Sequence, residues 1–191
     1  MQSNQKRLVM TSLTLVLVGV FIHKWYLSLD GRVPTIAFDG REYHVRDTLD
    51  KKETADSLAR LNENIIKIIN YMERQNDPNF VVATERLKSR YNVGAISEGI
   101  VEDGITSYTV NKGEQIVFCM RTRDEQDTLY KDNILLYVAM HELAHIMSIS
   151  EQHTPEFYKN FDYIQQCAKA VNLFQHSSEP INYCGLKIAR I

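Results

Sequence analysis

The stretch that decides the fold is LLYVAMHELAHIMSISEQH, residues 135–153. It contains His141-Glu142-Leu143-Ala144-His145 between the uncharged flanks YVAM and IM, and a third histidine, His153, follows after seven intervening residues. On an α-helix, side chains at positions i and i+4 lie on one face, so His141 and His145 can direct two imidazoles at one ion. The uncharged flanks predict a mostly buried helix over residues 132–149, in which unpartnered polar side chains are costly. A metal ion would supply the missing partner.

His153 is the favoured third ligand, because a turn after the helix can fold back over the same ion. His176 and Glu151 are the alternatives. A zinc ion with three protein ligands keeps a fourth position for water and lowers the pKa of that water to about 7. Glu142, one step round the helix from His141, is expected to take a proton from this zinc-bound water as it attacks a peptide carbonyl.

The pattern therefore predicts a zinc metallopeptidase, a hydrolase that cleaves a protein or peptide substrate. Two other interpretations remain open. In the first, the chain is an inactive zinc-binding interaction module. In the second, it is a structural membrane protein in which the H-E-x-x-H pattern occurs by chance. An intact Glu142 favours the enzyme, since a module without turnover has no need of a base.

Residue patterns on the N-terminal side predict a hairpin and a long helix. TIAFDGREYHV, residues 35–45, alternates around an Asp-Gly pair, which is typical of a β-hairpin. Apolar residues at helical spacing predict an amphipathic helix over residues 50–74. Asp50 and Glu53 offer a start that resembles a capping box.

The remaining elements are expected in the C-terminal two thirds of the chain. They are a short helix over 84–91, a loop-rich stretch, a second hairpin over 106–121, the helix over 132–149, a helix from Pro155 with Thr154 as its N-cap, and a short terminal strand. Hairpins and helices in this order predict an α+β fold with a small antiparallel sheet.

Composition bounds the class of protein. The chain has 191 residues, a formal net charge of −2 and 44% hydrophobic residues. Beyond an N-terminal apolar segment, the remainder has the usual size of one compact domain. Charges of both signs are interspersed, so no nucleic-acid partner is indicated. The oligomeric state is not indicated either.

The N-terminal segment predicts a membrane anchor. Residues 8–22, LVMTSLTLVLVGVFI, carry no charge, and the aromatic residues Trp25 and Tyr26 would lie at the interface. The absence of a small-x-small cleavage site favours an uncleaved single-pass anchor over a signal peptide. The sequence thus predicts a cytoplasmic stub and transmembrane helix over residues 1–29, a catalytic domain over residues 30–191, and a membrane localisation.

The three cysteines, Cys119, Cys167 and Cys184, are too few and too dispersed for a disulfide framework. We expect three buried or half-buried thiols. One disulfide with one free thiol is the alternative.

HELAHIMSISEQHTPEF, residues 141–157, resembles the WLM and SprT-like (Wss1-like) family of zincin metallopeptidases, in which a turn and a third histidine follow the H-E-L-x-H helix. The chain is most similar to small predicted metallopeptidases of large DNA viruses, and the resemblance covers about residues 42–188. The shared features are Tyr43-His44-Val45-Arg46, Asn111-Lys112-Gly113 with Ile116, Cys119 and Arg121, the continuation from His153 to Phe157, and Asn182-Tyr183-Cys184-Gly185.

This resemblance implies a zincin-like fold for residues 30–191, a Zn²⁺ cofactor, His141, His145 and His153 as metal ligands, and Glu142 as the catalytic base. The spacing between His145 and His153 is longer than in the family pattern, so a longer turn has to return the third ligand to the metal. If the protein is viral, the expected membrane is that of the virion or of its host.

Overall fold

The computed structural model describes residues 31–100 and 106–188. Within these ranges the elements are β1 (Arg32–Ile36), β2 (Glu42–Arg46), α1 (Lys51–Gln75), α2 (Val81–Arg90), β3 (Ile96–Glu98), β4 (Tyr108–Val110), β5 (Gln115–Phe118), α3 (Asp132–Met147), α4 (Pro155–Ala170), β6 (Ile181–Tyr183) and β7 (Leu186–Ile188). The α+β class, the two predicted hairpins and all four predicted helices are confirmed.

The main sheet has five strands in the order β1-β2-β3-β5-β4, and it is mixed. β1 and β2 pair antiparallel, as do β4 and β5, whereas β3 pairs parallel with both β2 and β5. The predicted antiparallel sheet is therefore wrong. β3 has only three residues and lies in the glycine-containing stretch 94–99, so it is too short to show the alternation that identifies a strand. β4 forms one edge of the sheet.

Helix α1 forms because its apolar residues repeat at helical spacing. Leu58, Ile65 and Ile68 are fully buried on this face, and Leu61 and Met72 are nearly so. The buried face packs against β1, β2 and β3 on one side and against α3 on the other. The hydrophobic core thus lies between the sheet and the helices, and α3 runs through it.

A buried ion pair joins the sheet to the start of α1. The side chains of Arg121 and Glu98 are 4% and 1% exposed, with Arg121 Nε 3.2 Å from Glu98 Oε1. Burial raises the pKa of Glu98, although the Arg46 backbone N–H and the Arg121 guanidinium oppose this effect. Both carboxylate oxygens of Asp50 accept hydrogen bonds from Arg121 at 2.8 Å. Asp50 holds the N-cap position of α1 but makes no side-chain cap bond, so the predicted capping box is wrong.

The C-terminal strands β6 and β7 form a two-stranded hairpin instead of the single strand expected. Cys184 and Gly185 form its two-residue turn with φ values of 48° and 88°. Positive φ at both central residues is typical of the type I′ turns that join hairpin strands. Cys184 forms a disulfide with Cys119, and Cys167 is a free, buried thiol. The prediction of three separate thiols is therefore wrong, and the alternative of one disulfide with one free thiol is correct.

The membrane localisation predicted from residues 8–22 is corrected here. That segment and the boundary between residues 29 and 30 lie outside the described residues. Within residues 31–100 and 106–188, no helix is both long enough and apolar enough to cross a membrane. The longest of them, α1, has charged side chains in nearly every turn. A membrane partner therefore has no support in the structure.

Candidate metal centre

Helix α3 carries the first two histidines through the interior of the domain. It contacts α1, α2, α4, β4 and β5, and its apolar residues are buried on nearly every side. Because the helix is surrounded, the few polar side chains that it carries must find partners within the fold. His141, Glu142 and His145 lie together along the part of α3 that borders a cleft.

The three predicted ligands are brought together. His153 Nε2 lies 3.1 Å from His141 Nε2 and 3.2 Å from His145 Nε2. The three ligand nitrogens all lie within 4.8 Å of one another. A tetrahedral zinc ion bound at ~2.05 Å would place its ligand nitrogens ~3.3 Å apart. The nitrogen spacing and the choice of three imidazoles thus both fit a zinc ion.

Phe157 forms the floor of this histidine cluster. Its side chain is 1% exposed, and its ring centroid lies 4.9, 4.5 and 4.5 Å from those of His141, His145 and His153. One aromatic ring therefore contacts all three imidazoles and restricts their orientation. The sequence placed Phe157 four residues after His153 but did not reveal this contact.

The two helical histidines are electrically neutral near pH 7. Burial, together with the neighbouring histidines, lowers the pKa of His141 to about 4. Burial, with smaller contributions from His153 and Lys112, lowers the pKa of His145 to about 4. A metal ligand needs a deprotonated nitrogen, so both imidazoles are already in the form that binds a metal.

Glu142 lies beside the cluster and is held by a threonine from the neighbouring strand. Its side chain is buried, and Oε2 accepts a hydrogen bond from Thr109 Oγ1 at 2.8 Å. Burial raises the pKa of Glu142 to about 7, and the Thr109 bond opposes this effect. A carboxylate with a pKa near 7 can both accept and return a proton at neutral pH. The sequence predicted the β4–β5 hairpin but not that Thr109 faces Glu142.

The segment 148–154 returns His153 to the cluster. α3 ends at Met147, and Ser148 continues with extended backbone while its hydroxyl donates to Ala144 O at 2.7 Å. The Glu156 carboxylate accepts the Ile149 backbone N–H at 3.1 Å with each oxygen. Pro155 then starts α4, as predicted, and α4 packs against α3. These bonds fold the longer spacing between the histidines into a compact turn.

Thr154 occupies the N-cap position of α4 but does not cap the helix with its side chain. Its hydroxyl is instead 2.7 Å from Ser150 Oγ, across the turn that carries His153. Thr154 is thus the N-cap residue, as predicted, but its hydroxyl bonds to Ser150 within the turn and not to the helix.

The other predicted alternatives for the third ligand lie elsewhere. His176 is exposed and contacts Lys169, and it is not part of the cluster. Glu151 is exposed at the rim of the cleft. Among the described residues, the three histidines 141, 145 and 153 are the group whose ligand atoms converge.

The cluster opens into a cleft of about 1010 Å³ between β4 and the C-terminal hairpin. Tyr137, Val138, Leu186 and Ile188 supply apolar lining, and Thr106 to Thr109 line the β4 side. Tyr183 also borders the cleft, with its hydroxyl 2.6 Å from Ser107 Oγ and donating to Cys119 O at 2.9 Å. These bonds, together with the disulfide, hold the hairpin as a wall of the cleft.

The mixed sheet, the helix with two histidines and the returning third histidine define a metallopeptidase-like fold. The chain belongs to the WLM family, because the model of the WLM domain matches residues 41–179, most of its length. The family predicted from the sequence is thus confirmed.

Two viral proteins are similar in sequence. Uncharacterized protein R325 of Acanthamoeba polyphaga mimivirus is 29% identical over 154 residues, which cover 78% of this chain and 77% of that protein. Uncharacterized protein 136R of Invertebrate iridescent virus 6 is 30% identical over 95 residues, 49% of this chain and 53% of that protein. The predicted similarity to proteins of large DNA viruses is therefore confirmed.

Among solved structures, Wss1 from Saccharomyces cerevisiae is similar, with a TM-score of 0.51 at 16% sequence identity. The match covers 66% of this chain and 86% of that one. At this level of identity the likeness concerns the fold alone.

Proposed function

We propose that the protein is a zinc-dependent peptidase in which His141, His145 and His153 hold the metal and Glu142 is the catalytic base. The observation that carries this proposal is the convergence of three imidazole nitrogens beside a buried carboxylate in a cleft. Membership of the WLM family and the metallopeptidase-like fold support it.

The chemistry divides between the metal and the chain. A zinc ion at this cluster would act as a Lewis acid that polarises the peptide carbonyl and makes water more acidic. Glu142 accepts the proton of the attacking water and then delivers it to the departing amine. Because its pKa lies at about 7, both proton transfers are accessible at neutral pH. Thr109 holds one carboxylate oxygen and so orients the other.

The substrate is proposed to be an extended segment of a peptide or protein. β4 is an edge strand, and within the described sheet it pairs with β5 alone. Its outer edge borders the cleft near the histidines, where a peptide can add as a further strand through backbone hydrogen bonds. Backbone recognition of this kind sets few demands on the side chains of the substrate.

The test compares the full-length protein with its Glu142→Gln variant. Both are expected to contain one zinc ion per chain by elemental analysis, while cleavage of a mixed peptide library is expected from the wild type alone. The variants His141→Ala and His145→Ala are expected to lose the zinc. Zinc retained by both histidine variants would refute the metal site. Zinc binding without cleavage by the wild type would support the inactive zinc-binding module instead.

A further inference from the structure

The third histidine is held differently from the other two. His141 and His145 are half-buried on a helix that the core surrounds, whereas His153 is exposed on the segment 148–154. A ligand on an exposed segment needs contacts that keep it near the metal, because affinity falls when one ligand moves freely. The contacts that hold this segment should therefore influence how tightly the site binds a metal.

Lys112 contacts both the active-site helix and this segment. It lies in the β4–β5 turn, and its ammonium donates to His145 O at 3.0 Å and also to Ser150 O. The first oxygen belongs to the last turn of α3, and the second lies three residues before His153. One side chain thus joins the end of the helix to the segment that returns the third ligand.

The turn that carries Lys112 is fixed by close packing. Lys112 itself has a φ of 56°, and Gly113 has a φ of 115°. A Cβ atom at Gly113 would lie 2.7 Å from the backbone oxygen of Arg90, so the chain passes here too closely for any side chain. The position of the Lys112 backbone is therefore set by the fold, and from this backbone the side chain reaches both carbonyl oxygens.

Other cations also bind the C-terminal end of α3, as the free carbonyls and the helix dipole favour. Arg90 Nη1 donates to Ile146 O at 3.4 Å. Arg86 donates to Met147 O and also lies 3.7 Å from the carboxylate of Glu156. The described side-chain hydrogen bond of Arg90 goes to the end of α3, and none of its described hydrogen bonds goes to the segment 148–154. Arg90 is thus the matched control for a cation at this helix end.

We propose that Lys112 is a positioning residue for the metal site, which holds His153 within reach of the metal by fixing the segment 148–154 against the end of α3. This inference rests on the proposed zinc site. It assigns a role in metal affinity to a side chain that lies outside the histidine cluster.

The experiment measures the zinc affinity of the full-length protein by competition with a chromophoric chelator. Lys112→Met keeps the aliphatic stem and removes the donors, and it is expected to weaken zinc binding roughly 10- to 100-fold. Arg90→Met is expected to leave the affinity close to that of the wild type. Thermal unfolding checks that each variant folds. If Lys112→Met does not fold, Lys112→Gln keeps a shorter donor and is expected to show a smaller loss.

A double-mutant cycle with His153→Ala tests whether Lys112 affects zinc affinity through His153. Without the third imidazole, Lys112→Met is expected to cause no further loss of zinc affinity. An equal loss in both backgrounds, or an unchanged affinity in the single variant, would overturn the role of Lys112. A wild type that binds no zinc would refute the proposed function itself, so the two failures are distinguishable.

Discussion

Glu142→Gln is expected to stabilise the metal-free protein at alkaline pH. Burial raises the pKa of Glu142 from 4.5 to about 7 in the folded state. The folded protein therefore holds this proton more tightly than the unfolded chain, and the wild type loses stability as the pH rises from about 4.5 to about 7. At 1.36 kcal/mol per pKa unit, the ionised carboxylate costs about 3 kcal/mol above that range. Glutamine carries no charge and its carbonyl can still accept the Thr109 hydrogen bond.

Urea unfolding of both proteins after chelator treatment gives the free energies of unfolding. The variant is expected to be more stable by about 3 kcal/mol at pH 8 and by about 1 kcal/mol or less at pH 5. The histidines titrate in both proteins, so their contribution cancels in the difference. A difference that does not change with pH, or a variant less stable than the wild type at pH 8, would contradict the assigned cost of burying this charge.

Four further substitutions test other contacts. Thr109→Val should retain its zinc but lose roughly tenfold in kcat/KM on a peptide substrate, because the base loses its orienting hydrogen bond. Gly113→Ala should lower the free energy of urea unfolding by roughly 2–3 kcal/mol. At Gly40, where a Cβ would meet nothing within 4 Å, alanine should cost only about 1 kcal/mol. Arg121→Met leaves the buried Glu98 without the Arg121 guanidinium and should cost roughly 3–5 kcal/mol by the same assay.

The parts of the fold that the sequence predicted are those with a local pattern. The periodic face of α1 and the Asp-Gly turn between β1 and β2 depend on neighbouring residues, and both were predicted close to their observed bounds. β3 depends on partners far along the chain and has three residues, so no local pattern marked it. The mixed character of the sheet, which β3 creates, could not be predicted for the same reason.

The candidate site divides in the same way. The i, i+4 spacing of His141 and His145 is a local property of one helix, and the sequence alone indicated it. The supporting contacts of Thr109 and Lys112 join segments 33 residues apart or more, which a single sequence does not bring together. The same holds for the disulfide, whose two cysteines are 65 residues apart.

That disulfide has a topological consequence. The covalent ring closed by Cys119 and Cys184 contains α3, the three histidines and α4. Closing a ring of this size restricts the unfolded chain by ~4 kcal/mol at 25 °C in the loop-entropy treatment. A single backbone cut inside the ring leaves both fragments attached. A nicked molecule therefore migrates as one chain in electrophoresis until the disulfide is reduced.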